Sequence, residues 1–219
     1  FSIDITDYLR GASAQELLVV VWDPTDKGPQ PRGKQVSEPG GIWYTSVSGI
    51  WQTVWLEPVP ESHIQSIKLI PDINSDNVQI TADVTALKDG DQLIVAYSEP
   101  GGSTAGTVSG SAGESLILPV ANPRLWSPDD PYLYDINIRL IRGDHTVDAI
   151  DSYFGMRKVG IGKDGTGKNR ILFNNEFLFQ VGTLDQGFWP DGIYTAPTDK
   201  ALKYDCLLYT SDAAENREV

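Results

Sequence analysis

The sequence predicts a mainly β protein, with an immunoglobulin-like β-sandwich at its centre. Three observations predict this. Between residues 63 and 157, about seven short β segments recur with turn signals between them. No 3.6-residue apolar period runs through them. After residue 158, strand-like segments give way to a helix start, which reads as the opening of an α/β unit.

The first zone, residues 1–62, is also β in character. Phe1-Ser2-Ile3-Asp4-Ile5-Thr6 alternates like a strand already under way. The only methionine is Met156, and no charged, then apolar, leader precedes the first alternation, so the natural N-terminus is expected upstream and the compartment stays open. Four of the six tryptophans fall here: Trp22, Trp43, Trp51 and Trp55. Residues 17–22, Leu-Leu-Val-Val-Val-Trp, predict a strand buried on both faces and ended by Asp23-Pro24. Residues 24–41 are rich in glycine and proline and read as a long loop. Residues 49–58 predict another strand, with Ile50, Val54 and Leu56 on one face and Trp51, Thr53 and Trp55 on the other. Its position favours Trp51 and Trp55 packing inside, whereas Trp43 and Tyr44 lie in a loop-like stretch where indole and phenol faces can stack on the C–H face of a pyranose.

The central strands are placed at 64–70, 78–84, 92–97, 114–120, 132–140 and 146–154. The alternation is plainest at Tyr132, Tyr134, Ile136, Ile138 and Leu140. In the third zone, residues 160–167 read as a flexible glycine-rich link. Residues 170–173 and 176–181 look like a hairpin or two strands around Asn174-Asn175, and Pro197-Thr198-Asp199 opens a helix with Thr198 as its N-cap.

Charge and composition exclude several functions. Seventeen basic against 30 acidic side chains give a net charge of −13, spread as −4 over residues 1–62, −7 over 63–157 and −2 over 158–219. A surface this acidic, without a basic patch, does not suit a phosphate backbone, so no nucleic-acid partner is expected. One cysteine and two histidines rule out a Cys/His zinc site, and neither a metal nor another cofactor is expected. No run of about 18 apolar residues exists to cross a membrane as a helix.

Three short motifs have plainer readings. Gly162 and Gly167-Lys168 nearly spell a phosphate loop, but Asn169 stands where a magnesium-binding hydroxyl belongs and a strand-like segment follows. Arg142-Gly143-Asp144 spells an adhesion tripeptide, yet it lies between two alternating strands, where Gly-Asp is turn chemistry. His63 and His145 each lie at a strand edge with no nucleophile elbow nearby, and read as surface histidines.

Four segments, in order, resemble glycoside hydrolase family 2. Ser48-Gly49-Ile50-Trp51-Gln52-Thr53-Val54-Trp55-Leu56-Glu57 is similar to the end of that family's sugar-binding-type jelly roll. Leu125-Trp126-Ser127-Pro128-Asp129-Asp130-Pro131-Tyr132-Leu133-Tyr134 is similar to the signature of its immunoglobulin-like domain. Phe154-Gly155-Met156-Arg157-Lys158 resembles the junction into its barrel. Leu184-Asp185-Gln186-Gly187-Phe188-Trp189-Pro190-Asp191-Gly192 resembles the end of the first barrel strand in one branch.

The resemblance implies the C-terminal part of a jelly roll at 1–62, an immunoglobulin-like sandwich at 63–157, and the first strand and helix start of a truncated (β/α)8 barrel at 158–205. Residues 206–219 instead resemble a translated sequencing-adapter tail and are expected to be foreign. The family's activity is retaining hydrolysis of β-linked sugars by two glutamates about 5–5.5 Å apart. Those glutamates follow the fourth and seventh barrel strands, and Glu176, Glu215 and Glu218 match neither motif, so no catalytic residue is assigned and the chain itself is expected to be inactive. The substrate-binding candidates are Asp185, Gln186 and Trp189 at the barrel-strand end, with Trp43 and Tyr44 in the loop before Ser48. A β-linked carbohydrate is the expected partner; sugar, linkage and oligomeric state are open, and a periplasmic or extracellular parent is slightly favoured over a cytoplasmic one. The alternative is a non-catalytic carbohydrate-binding or scaffold protein of two β modules.

Overall fold

The computed structural model describes residues 2–11, 13–50, 53–180, 182, 189 and 195–215, with side chains described as far as residue 207. The chain forms two compact units, one of Leu56–Gly182 and one of Phe1–Trp55 with Thr183–Val219. Among the described residues the structure is mainly β, with one α-helix.

In the unit of 56–182, seven strands make two antiparallel sheets. Numbered along the chain after two short strands of the other unit, β1 (Gln35–Val36) and β2 (Tyr44–Thr45), they are β3 (Ile64–Asp72), β4 (Asn77–Val84), β5 (Gln92–Ser98), β6 (Thr104–Ser111), β7 (Leu116–Pro119), β8 (Tyr134–Arg142) and β9 (His145–Phe154). One sheet has the order β3-β4-β7, the other β6-β5-β8-β9. The two-residue period of these strands sends alternate side chains into one core. Val78 and Ile80 of β4 oppose Leu118 and Leu116 of β7, while Leu93, Val95 and Tyr97 of β5 oppose Leu140, Ile138 and Ile136 of β8. All ten are buried. The strand between 104 and 111 has few apolar side chains to announce it, because a Cβ at Gly106 would lie 2.5 Å from the Tyr97 ring and one at Gly110 2.5 Å from Leu116. Glycine there lets two core side chains lie against the β6 backbone.

Gly143, at φ +59°, makes the tight turn that pairs Arg142 with His145, as the sequence predicts. Beyond the sandwich, β10 (Val159–Lys163), β11 (Asn169–Phe173) and β12 (Glu176–Phe177) form a three-stranded antiparallel sheet. The expected flexible link at 160–167 is therefore a strand and a hairpin turn. Asp164 accepts hydrogen bonds from the Thr166 N–H and hydroxyl (2.9 and 2.6 Å), the Lys168 N–H (3.0 Å) and Arg170 Nε (2.9 Å). Foremost the Thr166 hydroxyl, then Arg170, hold its carboxyl well below the usual range. Its four bonds use the near-phosphate-loop as a turn instead of an anion cradle. Asn174 and Asn175, at φ +50° and +69°, make the second turn as expected.

The other unit departs further from expectation. Residues 17–22 form no strand, and Leu18, Val20 and Trp22 are each at least 80% exposed. A strand buried on both faces needs hydrogen-bonded neighbours at its edges and layers packed over its faces, and no described segment pairs with this one. The expected strand at 49–58 is likewise absent over 53–58, and Trp55 is 74% exposed instead of packed inside; Trp51 lies outside the described residues. The parallel pair β1 and β2 and the side-chain bonds of Asp23 and Asp26 tie the 23–48 loop together. The helix α1 (Asp199–Glu215) begins as predicted: Thr198 Oγ1 accepts the Ala201 N–H at 3.1 Å. Its backbone runs through residue 206 without interruption.

Candidate functional site

The five candidate sugar-binding residues fare differently. Asp185 and Gln186 lie outside the described residues, as does most of 184–192. Trp189 is half-buried in the same compact unit as Trp43 and Tyr44. Tyr44 is held in β2 opposite Gln35, its N–H donating to the Lys34 carbonyl at 2.9 Å.

Trp43 stands in a groove of about 480 Å³ with Asp26, Lys27, Arg32, Val36, Ser37 and Glu38. The turn that carries it closes through its N–H to the Gly40 carbonyl at 3.2 Å. Trp43 is 40% exposed, and the Arg32 guanidinium carbon lies 5.6 Å from its ring centroid, near the outer limit of a cation–π contact. Asp26 accepts the Ser37 hydroxyl at 2.6 Å and the Ser37 N–H at 3.4 Å, and Arg32 lies 3.9 Å away. The Ser37 hydroxyl is the main cause that holds the Asp26 carboxyl below its ordinary range. Sequence reading singled out Trp43 but not its polar neighbours, because Asp26, Arg32 and Ser37 sit in a stretch legible only as loop.

A second cluster surrounds the Leu125–Tyr134 signature, and its work is structural. Arg124 grips Asp130 with two bonds of 2.6 and 2.7 Å and lies 4.3 Å over the Tyr132 ring. Its N–H donates to the Tyr134 hydroxyl at 2.7 Å. Tyr134 in turn stacks on Phe154, with ring centroids 5.2 Å apart. Trp126 donates its N–H to the Met156 carbonyl at 2.9 Å, and Leu125 bridges Met156 in parallel. The same Trp126 meets Phe173 edge-on at 5.8 Å, and its carbonyl accepts Asn174 Nδ2 at 3.0 Å. Asn174 Oδ1 also accepts the Lys158 N–H at 2.9 Å. The signature thus pins the exit of the sandwich to the β10–β12 sheet.

The remaining motifs fold into structure. Arg142 of the adhesion-like tripeptide donates twice to the buried Asp91, at 2.8 Å each, and to Ser62 Oγ at 2.9 Å. Its side chain is committed inward, which leaves the tripeptide as a turn. Ser62 passes the contact on to the Ala86 carbonyl at 2.9 Å. Arg142 foremost brings the Asp91 carboxyl down to about 2. His63 Nδ1 lies 2.8 Å from the Pro60 carbonyl and 2.9 Å from the Thr85 hydroxyl, a strand-end arrangement. Among the described residues no group of three or more His, Cys, Asp or Glu is placed to hold a metal ion, and no helix is long and apolar enough to cross a membrane.

The fold and this junction define a class first: an antiparallel two-sheet β domain whose exit is clasped to a further sheet. Comparison supplies the family. Residues 62–157 match the model of Glycosyl hydrolases family 2. A beta-galactosidase of Thermoanaerobacter pseudethanolicus is 26% identical over 222 residues, covering 94% of this chain and 28% of the relative. A beta-galactosidase of Leuconostoc mesenteroides subsp. mesenteroides is 32% identical over 205 residues, covering 84% of this chain and 18% of the relative. The β-glucuronidase from Ruminococcus gnavus, solved in complex with C6-substituted uronic isofagomine, shares the fold with a TM-score of 0.55 at 24% identity, over 69% of this chain and 25% of that one. The region at 62–157 is a domain of glycosyl hydrolases family 2. The chain spans less than a third of the length of these relatives.

Proposed function

We propose that this chain is the accessory β region, with the first part of the barrel, of a retaining glycosidase that cleaves β-linked sugars. The family match over 62–157 carries the reading, and the β-galactosidase relatives along most of the chain support it. In this reading residues 1–62 are the end of a jelly roll, 63–157 an immunoglobulin-like sandwich, 158–205 the start of the (β/α)8 barrel, and 206–219 a foreign tail. The sandwich supplies no reacting group. It fixes, through Trp126 and Asn174, the direction in which the chain leaves for the barrel.

Substrate contact falls to Asp185, Gln186 and Trp189, with Trp43 and Tyr44 from the other loop. A carboxylate and an amide suit sugar hydroxyls, and indole faces suit a pyranose ring. Hydrolysis needs an acid and a nucleophile on opposite sides of the glycosidic bond. No glutamate of this chain takes either role in the reading, so the purified 219-residue chain is expected to leave p-nitrophenyl β-galactoside, β-mannoside and β-glucuronide uncleaved above the buffer rate. Turnover of any of the three by the purified chain would overturn the assignment of the two glutamates to positions outside this chain.

A further inference from the structure

The groove beside Trp43 has the parts of a sugar subsite that no motif picks out. Its volume, about 480 Å³, is in the range of small-ligand sites. One wall is Trp43, a residue with 40% of its surface open. A carboxylate also lines the groove: Asp26 is held by the Ser37 hydroxyl and N–H, and its side chain keeps 23% exposure. A carboxylate fixed by its own protein neighbours binds a sugar hydroxyl without first losing rotamer freedom. Arg32, 41% exposed, supplies N–H donors over one face of the indole, which leaves the other face to a sugar ring.

We propose that Asp26, Arg32 and Trp43 form a subsite for a neutral hexopyranoside, with the ring's C–H face on the indole and two hydroxyls shared between the carboxylate and the guanidinium. The choice of a neutral sugar follows from the lining. Lys27 and Arg32 are balanced by Asp26 and Glu38, so the groove offers a uronate no net positive charge. The ligand class rests on the glycosidase reading above; the residues rest on the groove.

The test is a titration of the full chain, 15N-labelled, with methyl β-galactoside and separately with methyl β-glucuronide, followed by the indole N–H signal of Trp43 identified through Trp43→Phe. A saturable shift with the galactoside at a Kd of about 1–10 mM is expected. The glucuronide should bind several-fold more weakly. Asp26→Asn and Arg32→Ala should each weaken the galactoside about tenfold, with the amide signals of 63–157 unmoved as the sign of an intact fold. Ser37→Ala, which frees the carboxylate, should weaken it less. No shift of Trp43, a shift indifferent to Asp26→Asn, or glucuronide binding as strong as galactoside would overturn the subsite. Such a failure leaves the glycosidase reading standing, because that reading is decided by the presence of the two glutamates in the parent gene.

Discussion

Removing the Asp91 carboxylate would strand the Arg142 guanidinium at the end of the sandwich and leave the Lys88 N–H without its acceptor. The Asp91 side chain is fully buried, and breaking a buried pair from one side is costly. Asp91→Ala is expected to lower unfolding stability by about 3 kcal/mol, read as a drop in the urea midpoint. The pH dependence follows with a definite sign. A carboxyl whose folded pKa is brought down to about 2 stabilises the fold at pH values above its unfolded value. That contribution is complete above about pH 5 and fades as pH falls through 4 towards 2. In Asp91→Asn this part of the acid slope should be missing. A wild-type midpoint unchanged between pH 5 and 2.5 would count against the assigned role. The residue also shows how little of this was visible beforehand: Asp91 and Arg142 are 51 residues apart, and only the fold brings them together.

Among the elements, the strands of the sandwich were legible because each buries one face and so alternates. Tyr134–Arg142 and His145–Phe154 lie close to where the pattern put them. The strand Thr104–Ser111 escaped because Gly106 and Gly110 stand where side chains would collide with Tyr97 and Leu116. The 160–167 stretch was misread for a related reason. Gly162 reflects close packing, a Cβ there coming within 2.5 Å of Leu172, and Gly167, at φ +80°, serves the hairpin turn. The signature segment was recognisable, but its partner was not. Asn174 has no motif around it, and its role rests on bonds to Trp126 and Lys158 made across 48 and 16 residues. Asn174→Gly keeps the positive φ and removes both bonds. It is expected to raise amide exchange across β10–β12 by about tenfold while β4, β5 and β8 stay protected. Equal protection in variant and wild type would show that the aromatic contact of Trp126 with Phe173 is sufficient alone.

For the whole molecule, the two units are unequal. The unit of 56–182 encloses a continuous core, from Ile64 to Met156. The other leaves an apolar run at 17–22 open, although the same residues read as a strand buried on both faces. A continuous apolar run can announce that a segment wants burial; it cannot supply the neighbours that bury it. In the family reading those neighbours, the rest of the barrel and the two glutamates belong to the parent protein, of which the matched relatives are three or more times longer than the stretch they share with this chain. The most direct measurement is the DNA sequence of the source gene on both sides of this chain. The account predicts that after residue 205 the frame continues into further β/α units carrying one glutamate after the fourth and one after the seventh barrel strand, with adapter codons in place of residues 206–219. A natural frame that encodes 206–219 and then stops, with no barrel beyond, would contradict it.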